Sequence, residues 1–131
     1  DLLVAEEGQV SIVSFNQSES NLRALLIHPL CTVISDGFYV RGRPHPRLYG
    51  TFPSLLGDIS RERKWMSLPE AIYRITGKPA ERFGFQGRGR IAAGFRADLV
   101  LFDPNTVASG ATYDDPCRPP AGICAVYRDG R

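Results

Sequence analysis

The stretch from Gln9 to Gly37, QVSIVSFNQSESNLRALLIHPLCTVISDG, determines the fold class that this sequence predicts. Its opening segment, Gln9–Phe15, is β-prone and mostly apolar, as expected of a strand covered on both faces. Ser18 then offers an N-cap to an amphipathic helix, and Cys31–Ser35 is a second short apolar strand. A strand–helix–strand unit of this length predicts two parallel strands in one sheet, which is the α/β class.

Further helices are predicted downstream of this unit. Apolar residues at helical spacing between Phe52 and Ile59 indicate one helix. The capping box Ser67–Glu70 opens another, for which Gly77 is the expected C-terminal glycine. A short helix from Pro79 to Phe83 should end at Gly84.

From Gln86 onward the sequence is typical of β-structure. Arg90–Ala92 and Ala97–Phe102 predict a hairpin with Gly94 at its turn, and Ile123–Arg128 predicts a last strand. We therefore divide the chain near Phe85 into two units, residues 1–85 and residues 86–131.

The composition limits the class of function. The 43% hydrophobic and 23% charged fractions are ordinary for a globular protein and exclude a disordered tail. A net charge of +2 gives little support for nucleic acid or an anionic membrane as partner, and no apolar run reaches membrane-spanning length. The three cysteines lack metal-binding spacing, which favours a reducing cytoplasm.

Both ends of the sequence suggest that it continues. Asp1 is not an initiator Met, and Asp129-Gly130 is a hairpin signal with no strand after it. We therefore expect unpaired strand edges and exposed apolar faces. Pairing with the remainder of a longer protein, self-association or rearranged packing should then cover four residues: Val10, Ile12, Val33 and Ile34.

Asp36 is the first candidate for chemistry. It follows the second predicted strand in the triplet Ser35-Asp36-Gly37, and loops at the carboxyl ends of parallel strands carry catalytic groups in α/β enzymes. Asp-Gly is also a common turn dipeptide, so the triplet alone leaves a structural role open.

The basic string Arg41-Gly42-Arg43-Pro44 suggests a different class of function. It matches the core of an AT-hook, in which two arginines flank a glycine in an A·T-rich minor groove. The flanking residues do not form a basic tail, so a DNA-binding module is the weaker interpretation.

Two longer motifs resemble those of a known superfamily. Residues 89–104, GRIAAGFRADLVLFDP, resemble the segment that returns the chain from the barrel to the small β-domain of amidohydrolases. The Asp36 triplet followed by HPRLYGTFP (residues 45–53) narrows the resemblance to the D-aminoacylases, or N-acyl-D-amino-acid deacylases. The resemblance covers residues 9–131. It implies the last strands and helices of a (β/α)8 metal-dependent hydrolase barrel followed by part of a small β-sandwich domain.

The resemblance also implies roles for four side chains. Asp36 would be a ligand of the catalytic metal, expected to be zinc, and the general acid–base, with the other ligands upstream of Asp1. Because an N-acyl amino acid carries a free carboxylate, Arg47 could bind it with two parallel hydrogen bonds. His45 would lie near the substrate and position either it or the loop. Asp98 would be structural.

Two alternatives stay open at this level. One keeps the superfamily and changes the substrate, giving a cyclic-amide hydrolase of the dihydroorotase or dihydropyrimidinase type. The other is the non-catalytic binding module with the AT-hook-like loop. The segment Phe38–Arg41 departs from the family pattern, so the preferred acyl group and side chain are also open.

Overall fold

A computed structural model describes residues 1–8, 14–39 and 43–131 of the chain. Over these ranges it forms helices first and a two-stranded antiparallel ribbon last. A π-helical segment, Leu55–Glu62, continues the third α-helix directly. The remaining elements are α1 (Leu2–Ala5), α2 (Glu19–Ile27), α3 (Arg47–Ser54), α4 (Leu68–Ile75), α5 (Gly77–Phe83), β1 (Leu99–Phe102) and β2 (Ile123–Tyr127).

The core lies between the π-helical segment, α4 and the chain that follows β1. The π-helical segment contributes Leu55, Leu56 and Ile59, α4 contributes Ala71, and Val107 is fully buried among them. A Cβ on Gly57 would lie 2.3 Å from the Val107 carbonyl oxygen, so only glycine allows this approach of two backbones. The loop after β1 is therefore part of the same core as the helices.

Arg61 fastens that loop to the π-helical segment. Its Nη1 donates to the carbonyl oxygen of Val107 at 2.8 Å and to that of Pro104 at 3.1 Å. Both carbonyls belong to irregular chain. The guanidinium therefore provides hydrogen-bond donors to acceptors that have no partner within a helix or a strand.

Arg74, on α4, joins α2 to α4. Its side chain is only 5% exposed, and its Nε donates to Glu70 Oε1 at 2.7 Å. Its two Nη atoms donate to the carbonyl oxygens of His28 at 2.7 Å, Ile27 at 3.1 Å and Cys31 at 3.2 Å. The last carbonyls of a helix have no partners within it, so Arg74 completes the C-terminal end of α2.

Several helix signals are confirmed. The Ser18 hydroxyl accepts from the Asn21 N–H at 3.2 Å, and the Ser67 hydroxyl accepts from the Glu70 N–H at 3.3 Å. Gly84 has φ +69° at the end of α5, the left-handed conformation that glycine adopts without strain. All these signals act within one helical turn.

One predicted helix is longer than expected, and one helix signal was wrong. The helix predicted between Phe52 and Ile59 is present but begins earlier, at Arg47, because Pro46 already has helical dihedrals (φ −53°, ψ −24°) and starts the first turn. Gly77 is not a left-handed cap but the first residue of α5. Its lack of a side chain has another cause, since a Cβ there would lie 2.8 Å from the ring of Tyr73.

The strand predicted at Cys31–Ser35 was also wrong. These residues are irregular chain; the Val33 N–H donates to the Arg74 carbonyl oxygen at 3.3 Å, and Ile34 is 69% exposed. The residues of a parallel strand make their backbone hydrogen bonds to a neighbouring strand. Here the Val33 N–H bonds instead to Arg74, near the C-terminal end of α4. Residues 9–13 of the expected partner strand lie outside the described residues. The burial of Val10 and Ile12 therefore stays a prediction, whereas Ile34 is not covered by the described residues.

The ribbon pairs strands that are distant in sequence. β1 is antiparallel to β2, with Leu99 opposite Tyr127 and Phe102 opposite Ile123. The predicted hairpin between Arg90–Ala92 and the next strand is absent from the described chain, although Gly94 (φ +79°) does lie in a turn there. In the described chain β1 forms its ladder with β2, and Arg90–Ala92 forms none with it.

The Asp129-Gly130 turn is confirmed after β2. Both residues have positive φ, +52° and +77°, and the Arg131 N–H donates to the Arg128 carbonyl oxygen at 3.1 Å. Asp98 braces this turn by accepting from the Asp129 N–H at 3.1 Å. That N–H and the guanidinium of Arg96 hold the pKa of Asp98 below its ordinary value.

No helix of the chain, as far as the structure describes it, is long and apolar enough to cross a bilayer.

We predict that Arg74→Met lowers the free energy of unfolding by about 3 kcal/mol, because it leaves Glu70 and three carbonyls without their buried donor. Urea unfolding of the 131-residue chain measures this. The matched control is Arg82→Met on the exposed end of α5, which should change the unfolding free energy by less than about 0.5 kcal/mol. Equal effects of the two substitutions would contradict the role given to Arg74.

Candidate active site

Asp36 lies in a tight loop against the start of α3. Its φ of +46° is left-handed, a conformation that Asp tolerates better than most residues, and its side chain is 68% exposed. The next residue, Gly37, packs so closely that an added Cβ would lie 2.6 Å from the Cα of Leu48. This contact brings the carboxylate to the first turn of α3.

Arg47, the first residue of α3, pairs with Asp36. Its Nη2 lies 3.0 Å from Asp36 Oδ2, and its guanidinium lies 5.8 Å from the centre of the Phe38 ring. The Arg47 side chain is 37% exposed, and its buried Nε finds no acceptor among the residues that the structure describes. The Arg47 guanidinium therefore keeps an N–H donor, on Nε, that has no acceptor among the described residues.

His45 contacts Arg47 through the backbone. Its Nδ1 accepts from the Arg47 N–H at 3.0 Å, and its Nε2 lies 3.2 Å from the Tyr113 hydroxyl. Because Nδ1 is an acceptor, the neutral ring carries its proton on Nε2 and donates it to Tyr113. Burial, and then the positive charge of Arg47, lower the pKa of His45, which favours this neutral form.

Two tyrosines add an aromatic rim beside the Asp36–Arg47 pair. The hydroxyls of Tyr39 and Tyr49 are hydrogen-bonded to each other, and their rings meet edge to face at 6.4 Å. The bond to Tyr49 raises the pKa of Tyr39. With Phe38 over Arg47, this rim is apolar on its faces and polar at the tyrosine hydroxyls.

The structure brings together the three residues that the sequence nominated, Asp36, Arg47 and His45. Tyr113 was missed, since it follows His45 by 68 residues and no local pattern marks it. Tyr49 lies within the HPRLYGTFP motif and could have been nominated from it.

The contacts of Arg43, the second arginine of the AT-hook-like string, argue against DNA binding. Arg43 Nη2 donates to the carbonyl oxygens of Tyr113 at 3.1 Å and Asp114 at 3.3 Å, so its guanidinium serves the protein's own loop. Arg41 and Gly42 lie outside the described residues.

The site residues alone do not make a zinc site. Across residues 1–8, 14–39 and 43–131, no three His, Cys, Asp or Glu side chains lie close enough together to hold a metal ion. Both nitrogens of His45 are engaged by the protein, which leaves the exposed carboxylate of Asp36 as the one suitable donor in this loop. Zinc requires about three protein ligands, so Asp36 could supply only part of such a site.

Comparison with known proteins identifies the family. The sequence of residues 9–131 matches the family model of the amidohydrolase family, and the chain belongs to that family. In Alcaligenes xylosoxydans xylosoxydans, a D-aminoacylase is 41% identical over 98% of this chain. From the same organism, an N-acyl-D-aspartate deacylase is 38% identical over 98% of the chain, and an N-acyl-D-glutamate deacylase is 40% identical over 88%. The resemblance to D-aminoacylases is thus confirmed.

Solved structures agree with the sequence comparison. The crystal structure of a D-aminoacylase superimposes with a TM-score of 0.84 at 42% identity, covering 87% of this chain and 24% of that one. An N-acyl-D-glutamate deacylase from Bordetella bronchiseptica, complexed with zinc and a phosphonate that mimics the tetrahedral intermediate, gives 0.84 at 44% identity, with the same coverage of each chain. The chain spans about a quarter of the length of its curated relatives, 25% to 26%.

The lowered pKa of His45 predicts how stability depends on pH. The fold favours the neutral ring, so this contribution is complete above the ordinary imidazole value of about 6.5 and is lost as pH falls through the lowered folded value. Urea unfolding of the chain between about pH 8 and pH 5 should show the loss, and His45→Asn should remove it. The control His28→Asn should leave it in place. If His45→Asn retained the full pH dependence, another group would be responsible.

Proposed function

We propose that this chain is the C-terminal segment of a metal-dependent amidohydrolase that hydrolyses N-acyl-D-amino acids to a carboxylate and a D-amino acid. The observation that carries the proposal is the ion pair of 3.0 Å between the exposed Asp36 and Arg47. The pair occurs within a segment about 40% identical to deacylases of D-amino acids, which favours this reaction over cyclic-amide hydrolysis.

In this proposal Asp36 is both a metal ligand and the general acid–base. Zinc would polarise the amide carbonyl and lower the pKa of water, with its other ligands supplied from outside these residues. The Asp36 carboxylate takes a proton from the attacking water and gives it to the departing nitrogen. Its exposure and its lack of a second cationic partner in the described chain leave an oxygen available for this work.

Arg47 would bind the substrate's α-carboxylate. A guanidinium offers parallel donors that match a carboxylate, and Arg47 uses one of them on Asp36 while its Nε has no partner among the residues described. If Asp36 bound the metal, it would no longer need Arg47 as its partner, and the guanidinium would be available to the substrate carboxylate. His45 belongs to the same site, next to Arg47.

The organisation of the whole enzyme is part of the proposal. We divide the chain into a barrel portion, residues 1–85, and a β-sandwich portion, residues 86–131, that share the core around Val107. The partner of this segment is then the rest of the enzyme, and self-association is its substitute when the segment is alone. A cytoplasmic location is consistent with three unpaired cysteines.

Asp36→Asn tests the proposed function. In the full-length protein containing this chain, the substitution should abolish hydrolysis of N-acetyl-D-amino acids and leave the circular dichroism spectrum unchanged, because an amide is nearly isosteric but a poor base and metal ligand. Asp1→Asn, at an exposed aspartate whose side chain makes no capping bond, is the matched control and should retain activity. Activity of Asp36→Asn within about tenfold of the parent would remove Asp36 from the mechanism.

Arg47→Met tests the carboxylate subsite. We expect kcat/KM to fall about 10- to 100-fold for an N-acetyl-D-amino acid, which is the worth of a charged hydrogen bond. The corresponding N-acetyl-D-amino amide, which lacks the carboxylate, should lose far less. Steady-state kinetics on both substrates measures the difference. Equal losses of kcat/KM on the two substrates would show that Arg47 does not bind the carboxylate.

A further inference from the structure

The N-terminal turn of α3 has a capping problem. The first N–H groups of a helix need acceptors from outside it, and Ser, Thr, Asp or Asn at the N-cap usually provide one. Here Pro46 precedes Arg47 with helical dihedrals, its side chain has no acceptor, and no side-chain bond is made from that position. The N–H that needs a partner belongs to Arg47.

His45 solves this problem with its ring. Its Nδ1 accepts from the Arg47 N–H at 3.0 Å, which replaces the missing cap oxygen. The imidazole therefore fixes the backbone of Arg47, whose guanidinium is otherwise held by one ion pair to an exposed aspartate. A displacement of the first turn would move the guanidinium with it.

Tyr113 holds the ring in the required orientation. Its hydroxyl lies 3.2 Å from His45 Nε2, and the two rings meet edge to face at 5.2 Å. Tyr113 lies in a closed turn, in which the Thr112 N–H donates to the Asp115 carbonyl oxygen at 3.0 Å. Arg43 holds the Tyr113 carbonyl oxygen at 3.1 Å. The bond to Nε2 keeps the ring proton there and keeps Nδ1 an acceptor.

We infer that His45 is a positioning residue, held by Tyr113, that sets Arg47 for the substrate carboxylate by capping α3 through Nδ1. Both ring nitrogens are occupied by the protein, so His45 acts through Arg47 without touching substrate or metal. This inference rests on the proposed function only in giving Arg47 a substrate. The link also makes the turn Thr112–Asp115, from the second sequence unit, a support of the site.

Asn and Gln at position 45 separate the two ring nitrogens. The Asn side-chain oxygen can take the place of Nδ1 and cap Arg47, whereas the Gln amide reaches toward Tyr113 and leaves the Arg47 N–H without its acceptor. In the full-length zinc-loaded protein, His45→Gln should raise KM for an N-acetyl-D-amino acid about 3- to 10-fold, with kcat within about twofold. His45→Asn should remain within about twofold of the parent in both constants.

The N-acetyl-D-amino amide provides a second comparison. Its KM should not rise in His45→Gln, because this substrate lacks the carboxylate that Arg47 would bind. The same Asn and Gln pair at His28 is the matched control and should leave both constants unchanged, because its Nδ1 accepts from the Leu30 N–H at 3.2 Å and not from Arg47. Tyr113→Phe, which keeps the ring contact and loses the hydroxyl, should raise KM about threefold with kcat unchanged.

Hydrogen exchange keeps the inference testable if the parent shows no deacylase activity. In the full-length protein, the amides at the start of α3 should exchange faster in His45→Gln than in His45→Asn, whatever the reaction is. Equal exchange and equal KM in the two variants would overturn the capping role. A loss of kcat at unchanged KM in both variants would instead make His45 a residue that touches the reacting atoms. Absence of activity combined with the expected exchange pattern would reject the proposed function and leave the capping role intact.

Discussion

The buried guanidinium of Arg74 is the interaction on which the placement of the candidate site depends. It binds Glu70 within its own helix and three carbonyl oxygens at and just beyond the end of α2. A buried charge is tolerable only with good pairing and satisfied hydrogen bonds, and Arg74 has both. The chain that leaves this clamp at Cys31 leads to Asp36. The same helix, α4, packs on the π-helical segment that continues the helix of Arg47.

Three aspartates in this chain differ in their hydrogen-bond and ion-pair partners, and these partners indicate a different role for each. Asp98 is held by Arg88, Arg96 and the Asp129 N–H, and its pKa is lowered, so it is a structural brace. Asp103 accepts from the Asn105 N–H and the Thr106 hydroxyl, which lower its pKa and close a turn. Among the described residues Asp36 has a single arginine partner, and its carboxylate is largely exposed, which suits the proposed contact with metal, water or substrate.

Local signals in the sequence predicted the structure well, and signals that depend on distant partners did not. The Ser18 and Ser67 caps, the Gly84 stop and the Asp129-Gly130 turn each act over a few residues, and each is present. Cys31–Ser35 and Arg90–Ala92 have strand-like sequences, but a strand also needs a neighbour. For the first, most of the expected neighbour lies outside the described residues; for the second, the described ladder of β1 is with β2 and none is formed with this segment. In the site, the motif identified Asp36, His45 and Arg47, whereas Tyr113 reaches them only through the tertiary fold.

Anomalous scattering at the zinc edge from crystals of the full-length protein tests most directly whether Asp36 is a metal ligand, as proposed. We expect a zinc peak about 2.0–2.2 Å from an Asp36 carboxylate oxygen, with histidines from outside these residues completing the coordination. We also expect that the Arg47 guanidinium no longer pairs with that oxygen. A fully coordinated zinc ion elsewhere in the protein, with Asp36 still bound only to Arg47, would contradict the proposed role of Asp36.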